Sequence, residues 1–449
     1  MSMIFNALSG AIAAQAALST NSQNIANAMT PGYTRQGVLL GSVQPGSSGS
    51  NAAGAGVAVS GLLRFNDGYK SLQMWQAASN LGQYKAGQPY LNQLEQVMSD
   101  DTSNINQGLD AFFAALNAAS VQPDSGPLRE QVITAADGLV KRVGSLQSLL
   151  SGQQTALLAQ RGAAIDQVNS HTQSIALLNK QIAAAQATGI NTSGLLDARD
   201  QQVDALSSLA GLQVVNQPDG TISVSLKNGQ PLVLGSEAAL MSQNAGDLEL
   251  SFANSTFKVL GQNLGGQLGG LQDFETQVLK PMQSSIGELA QGIATSFNTQ
   301  LAAGAAPPVV GPGQPLFDYS GGKLKLTGLT AMQLAFAAPG GAIGDSSNLK
   351  ALVGLKSQTI SVDGKLTVMG DVYTQLVGKL GVQSQQNIAA QKTAITVRDQ
   401  AEESWKSTSG VNNDEEAISL MQYKQMYEAN MKVVAVANAL FDSTLAMIR

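Results

Sequence analysis

The string NIANAMTPGYTRQ, Asn24 to Gln36, decides how this chain is read. Pro31 disfavours helical geometry at Thr30 and fixes its own φ, and Gly32 supplies the positive φ that a type II turn needs next. A helix therefore ends here and the chain turns sharply. Upstream, Ile4, Leu8, Ala11, Leu18 and Ile25 fall on one stripe at heptad spacing, interrupted by Gln15 and Ser22. The first charged residue of either sign is Arg35. At the far end Leu420, Tyr427, Met431, Val434, Phe441, Leu445 and Ile448 keep a similar stripe, and Val433, Val436, Ala437 and Leu440 widen it beyond one seam. The C-terminal helix thus carries apolar surface for more than one partner.

An N-terminal helix with so few large apolar side chains recovers less from their burial than its backbone loses in conformational freedom. The two ends are expected to pack on each other, on other copies, or on both, and to stay unordered until they do. The alternative is ordinary docking of both helices on one globular core.

With 449 residues the chain is long enough for two to four domains. Its 25 basic and 31 acidic residues give a formal charge of −6, with no basic run or aromatic-interleaved patch, so nucleic acid is not an expected partner. Charged residues are 12 % of the chain, a low share that suits close packing against neutral neighbours. The absence of cysteine excludes disulfides and thiolate sites. Asn6, Ser9 and Gln15 interrupt an N-terminus that also lacks lysine and arginine, so no cleaved signal peptide is expected. No apolar run is read as long enough to span a bilayer, and a soluble chain without membrane insertion is expected.

After the turn, Val38 to Leu40 and Val57 to Leu63 read as short strands around a Gly/Ser-rich loop. Helical periodicity covers about Asp67 to Val97, Leu109 to Ala119, and a long stretch from Gly126-Pro127 to about Ala187. Within the last, Val168, His171, Ile175, Leu178 and Ile182 keep heptad spacing. A helix over Leu195 to Leu209 is expected to carry the string DARD on its outer face. From Leu212 the period drops to two, and Asp219-Gly220 and Asn228-Gly229 mark hairpin turns between LQVV, ISVSL and PLVL. Strands near Leu248 to Phe252 and Phe257 to Leu260 follow. Helix resumes from about Leu264 to Leu301 with Leu268, Leu271, Val278, Met282, Ile286, Leu289, Ile293 and Phe297 inward, and then from about Gly370 to Lys406. After a break at Ser409-Gly410, Asn413 with Glu416, or Asn412 with Glu415, has the spacing of a helix N-cap pair.

The expected fold is mainly α with β insertions. Terminal coiled-coil helices accompany an elongated helical bundle and a small outer antiparallel β domain, built from nested N- and C-terminal halves. The boundaries read 1–66 for the N-terminal helix and hairpin, 67–210 for the first helical half, 211–262 for the β domain, 263–384 for the second helical half with a mixed loop region, and 385–449 for the C-terminal helices.

Nothing converges on a reaction. His171 is the sole histidine, and a place on the apolar seam of a long helix makes it a polar packing residue rather than a base. Asp414, Glu415 and Glu416 fit the first turn of a helix better than a divalent-ion cluster. GAGVAVSG and NLGGQLGG match neither a dinucleotide fingerprint nor a phosphate loop, and Tyr33, Trp75 and Trp405 read as packing aromatics. No enzyme activity, metal or cofactor is expected.

At NIANAMTPGYTRQ and SGVNNDEEAISLMQYKQMYEANMKVVAVANALFDSTL the chain closely resembles bacterial flagellar axial proteins of the FlgK family, hook-associated proteins that seat directly on the hook. LLDARDQQVDALSSLAGLQVV, GGLQDFETQVLKPMQSSIGELAQGIATSFN and GDSSNLKALVGL favour this family over hook or rod proteins. Met29 stands where the family usually has a small amide, Asn413 where an apolar residue is usual, and the chain is short for the family. The resemblance implies a ring of about eleven subunits with an inner coiled coil made from both termini. It also implies contact with the hook protein and a second junction protein, and export through the flagellar type III apparatus, uncleaved, with a chaperone on the C-terminal helix. The location it implies is outside the cell, where hook meets filament. The expected assembly residues are Ile4, Leu8, Ala11, Leu18, Asn24, Ile25, Asn27, Pro31, Gly32, Tyr33 and Arg35 with Leu420, Tyr427, Met431, Val434, Phe441, Leu445 and Ile448. A hook- or rod-type axial protein is the nearest alternative; a secreted effector or hydrolase using helical ends only for export is a more distant one.

Overall fold

The computed structural model describes residues 2–44, 54–244, 246–253, 255–259, 264–308 and 311–448, with the side chains of Ser2 and Ile448 excepted. In chain order it forms α1 (Ser2–Ala26), β1 (Gln36–Ser42), β2 (Val57–Arg64), α2 (Gly68–Ser99), α3 (Ile105–Val121), α4 (Gly126–Ala187) and α5 (Ser193–Leu209). Strands follow as β3 (Leu212–Asn216), β4 (Ile222–Leu226), β5 (Pro231–Leu234), β6 (Glu237–Ala238), β7 (Leu240–Asn244), β8 (Asp247–Phe252) and β9 (Ser255–Val259). Then come α6 (Gly266–Phe274), α7 (Lys280–Ala302), β10 (Phe317–Asp318), β11 (Lys325–Leu326), α8 (Ser347–Gly354), β12 (Thr359–Val362), β13 (Lys365–Val368), α9 (Met369–Ser409) and α10 (Asn413–Ile448). The chain is mainly helical, with small antiparallel sheets, as the periodicities indicate. Leu260, the expected end of a strand, lies outside the described residues.

Local chemistry sets several boundaries. Asp67 Oδ1 accepts the backbone N–H of Tyr69 at 2.9 Å to open α2, and Asn104 Oδ1 caps α3 through the N–H of Asn106 at 2.9 Å. Pro127 occupies the first turn of α4, where its missing N–H costs nothing. Thr30 O accepts from Tyr33 N at 3.2 Å across Pro31 and Gly32, and Gly32 has φ of +73°, so the turn that ends α1 is closed as the residue types require. The single helix read over Leu264 to Leu301 is instead two, joined by a π turn at Glu275–Leu279. There the buried Glu275 carboxylate pairs with Arg161 and, at 3.0 Å, with Lys280. Burial works against its charge, but hydrogen bonds from Lys280 and Gln154 and the charge of Arg161 outweigh it and hold its pKa below the usual carboxylate value.

Contacts divide the chain into two compact units, each assembled from separated segments. The first holds Met1–Leu81, Ile165–Gly266 and Ala394–Arg449; the second holds Gly82–Ala164 and Gln267–Thr393. In the second, α3, α7 and the segment carrying Phe317 meet in an aromatic core where Phe112 and Phe297 lie 4.9 Å apart, and Leu268, Ile286, Leu289 and Ile293 are buried as their spacing requires. In the first, the strands over 211–262 cluster with the terminal segments. Two asparagines on α4 tie these strands to that helix. Asn179 donates to Ile222 O and accepts from Ile222 N, and Asn169 does the same with Met241 O and N, all at 2.8–3.1 Å. Each side chain stands in for the backbone of a missing neighbouring strand.

Candidate assembly surface

The turn after α1 is tied down by one amide. Asn24, almost wholly buried, donates through Nδ2 to Gln36 O at 2.8 Å and to Glu416 Oε2 at 3.1 Å. Its Oδ1 accepts from Gln36 N at 3.0 Å and from the Tyr33 hydroxyl at 2.9 Å. The side chain thereby spends its hydrogen-bonding capacity joining the end of α1, the turn, the start of β1 and the start of α10. Burial, with Asp197 and Glu416 nearby, pushes the Tyr33 hydroxyl up to about 12. Asn27 acts more locally, donating to Gln23 O at 2.9 Å and accepting from the Thr30 hydroxyl at 3.3 Å.

Charged groups complete the junction. Glu416 is buried, accepts from Asn21 Nδ2 at 2.6 Å and pairs with Arg35 Nε at 2.6 Å, while Arg35 Nη1 reaches Glu415 at 2.8 Å. The Arg35 backbone N–H bonds to Ser409 O at 2.8 Å, fixing the break before α10. Asp197 accepts from Thr34 N at 3.2 Å and from Arg64 Nε at 2.8 Å, and Arg64 also reaches Asp200 at 2.8 Å. Pro31 O accepts from Gln201, whose side chain occupies the space that a Cβ on Gly32 would need. The string DARD is thus corrected from an outer face to an inner one: Asp197 and Arg199 are buried, because their charges are met by Arg64, Asp200 and the carbonyl of Gly220. Asn412, of the two N-cap pairs considered, supplies the cap, accepting from Asp414 N at 3.0 Å.

Helices α1 and α10 run antiparallel, with Gly10 against Asn430 and Asn21 against Glu416. The buried residues of α1 are small or polar: Ala7, Gly10, Ala11, Ala13, Ala14, Ala17, Thr20, Asn21 and Asn24. On α10, Glu416 and Ala437 are buried, and Leu420, Tyr423, Asn430 and Val434 are partly covered at the same three-four spacing. Ser9 of α1 also accepts from Val57 N on β2 at 3.2 Å. The large apolar side chains expected on the seam largely lie elsewhere. Leu8 and Ile25 are exposed, Ile4 and Leu18 are half-buried, and of that stripe only Ala11 is buried. On α10, Tyr427, Met431, Phe441 and Leu445 are exposed; Ile448 falls outside the described side chains. Val433, Val436 and Leu440, expected to widen the α10 stripe, are exposed as well, and the exposed set also includes Phe5 and Ile12 on α1 and Ile418 and Met421 on α10, which sequence spacing did not single out.

The TM-length expectation needs correction: the stretch Met3–Ala26 is long and apolar enough to cross a membrane. Its alanines raise the average, and the same alanines pack on protein. His171 Nδ1 is held by Gln202 Oε1 at 2.7 Å. Trp75 and Trp405 line a cleft of about 710 Å³ beside the turn, together with Met29, Tyr33, Asp204 and Arg398. Among the described residues no group of three or more His, Asp or Glu side chains is placed to hold a metal.

A helix pair that joins both ends of one chain, fills its own seam with alanine and leaves leucine, isoleucine and phenylalanine outside is the construction of a structural subunit that assembles with others. The model of the helical domain of flagellar hook-associated protein FlgK matches residues 91–317, half of the chain, and the C-terminal model of flagellar basal body rod FlgEFG proteins matches residues 407–447. Flagellar hook-associated protein 1 of Escherichia coli (strain K12) is 27 % identical, covering 99 % of each chain, over an alignment of 552 residues. The protein of the same description from Bacillus subtilis (strain 168) is 26 % identical, covering 96 % of this chain and 95 % of its own. The structure of the flagellar hook junction protein FlgK from Burkholderia pseudomallei superposes with a TM-score of 0.67 at 17 % identity, covering 75 % of this chain and all of that one. The chain belongs to the FlgK family of flagellar hook-associated proteins. It is a structural protein of the bacterial flagellum, built into the axial structure with hook components.

Proposed function

We propose that the chain joins hook to filament as a mechanical adaptor, and that the exposed faces of α1 and α10 are buried by neighbouring copies in a closed ring of about eleven subunits. The observation that carries this reading is the division of labour within the helix pair. Alanines serve the intrachain seam, and Leu8, Ile12, Ile25, Phe441 and Leu445 are left 39 to 60 % exposed. Asn24, Asn27, Pro31, Gly32, Tyr33 and Arg35 act beneath that surface by setting the angle at which the chain leaves α1. The hook protein covers one end of the ring and a second junction protein the other. Before assembly a cytoplasmic chaperone covers the C-terminal helix, and the chain travels uncleaved through the flagellar type III apparatus to the outside of the cell.

Deleting residues 1 to 25 tests the reading. The expected product folds in its second unit, stays soluble and fails to seat on hooks; normal capping of hooks by the truncated chain would overturn it. The match of 407–447 to rod proteins suits a terminal helix shared among axial proteins. Immunolabelling separates the two: label at the distal hook tip supports the adaptor, and label along the hook supports a hook-type protein.

A further inference from the structure

Two groups of methionines in this chain sit in sharply different environments. Met98, Met241, Met282 and Met369 are between 0 and 4 % exposed, whereas all four methionines of α10 are open: Met421 at 61 %, Met426 at 43 %, Met431 at 41 % and Met447 at 84 %. Met426 and Met431 flank Asn430, which lies against Gly10 of α1, and Met421 and Met447 lie further round the helix with Ile418 and Leu440. With no cysteine in the sequence, these thioethers are the oxidisable sulfur that the free chain offers to solvent on its assembly helix.

We propose that Met421, Met426, Met431 and Met447 form an oxidation-sensitive site on α10: hydrogen peroxide converts them to sulfoxides in the free chain, and the oxidised chain no longer assembles. This rests on the reading that neighbouring copies bury α10. Each thioether sulfur forms a bond to one oxygen of the peroxide as the O–O bond breaks; the sulfur is oxidised by two electrons and the peroxide is reduced to water. A flexible apolar side chain becomes a polar one with a strong acceptor oxygen, and an apolar contact offers that oxygen no donor. The lesion is reversible by methionine sulfoxide reductases, and burial in the assembled structure removes the sulfurs from the oxidant.

The test uses the full-length chain and hydrogen peroxide, with peptide mass mapping of sulfoxides and a count of chains seated on purified hooks. Sulfoxides are expected at the four α10 positions before any form at Met98, Met241, Met282 or Met369, accompanied by loss of seating that reductase treatment restores. Measured against its own seating without peroxide, the variant carrying Met421→Leu, Met426→Leu, Met431→Leu and Met447→Leu is expected to lose a smaller fraction to peroxide than the wild-type chain does, although Met3, Met29 and Met332 remain open to the oxidant. Undiminished seating of chain oxidised at α10 would overturn the proposal, as would equal loss by the leucine variant. Seating of untreated wild-type chain reports separately on the junction reading, so failure of one is told from failure of the other.

Discussion

Asn24 makes four hydrogen bonds from a position sealed from water, so its removal strands the Tyr33 hydroxyl, the Gln36 backbone and part of the Glu416 shell at once. Asn24→Ala is expected to destabilise the terminal helix pair by about 2 to 4 kcal/mol, through lost bonds and buried groups left unpaired. Denaturant unfolding followed at α1 and α10 would measure it, and a change below about 0.5 kcal/mol would contradict the hub role. Tyr33 carries a pH consequence. Its hydroxyl is pushed up to about 12, so between pH 10 and 12 the unfolded chain loses this proton while the folded chain keeps it. The associated stability is complete below pH 10 and is lost as pH rises to about 12, with the buried Tyr373 adding in the same sense. Tyr33→Phe should flatten part of that decline in alkaline denaturation curves. The turn was legible in the sequence because proline and glycine constrain φ directly. The partners of Asn24 were not, since Glu416 lies 392 residues away and no local pattern signals a shared buried amide.

Among the elements, α1 shows where periodicity informs and where it stops. Its apolar spacing identifies a helix with a packed face, yet the Ile/Leu stripe and the Ala/Gly stripe coexist on one cylinder, and spacing alone does not say which one the chain keeps for itself. Close approach decides in favour of the small side chains: a Cβ at Gly10 would stand 2.6 Å from Asn430 Oδ1. Opposite outcomes are therefore expected on the two stripes. Ala14→Leu, at 1 % exposure, should destabilise the free chain by about 1 to 3 kcal/mol through overpacking. Ile12→Ser, at 55 % exposure, should leave free-chain stability within about 0.5 kcal/mol while reducing seating on hooks. Thermal unfolding beside a hook-binding count distinguishes them. The DARD helix was misjudged for a related reason, because buried charges become affordable only when their partners are known, and Arg64 comes from a distant strand. Strands β6 and β7 escaped notice because one has two residues and the other ends in Ser-Gln-Asn, without alternating apolar positions.

At the scale of the whole molecule, each unit has covered its own interior, and exposed large apolar side chains occur most densely on the two terminal helices, with others scattered between them. Unit two buries Phe112, Phe113, Phe297 and Phe317 together, and nothing in its function requires them to be exchanged. The terminal helices instead hold Phe5, Ile12, Leu440, Phe441 and Leu445 open to solvent. A chain arranged this way gains its last burial only on joining others. Amide hydrogen exchange across α1 and α10 tests this most directly, compared between free chain and chain seated in flagella. Protection should rise on assembly, most strongly from Leu440 to Leu445, where every side chain of α10 is exposed among the described residues. Equal protection of both helices in the free and assembled states would contradict it.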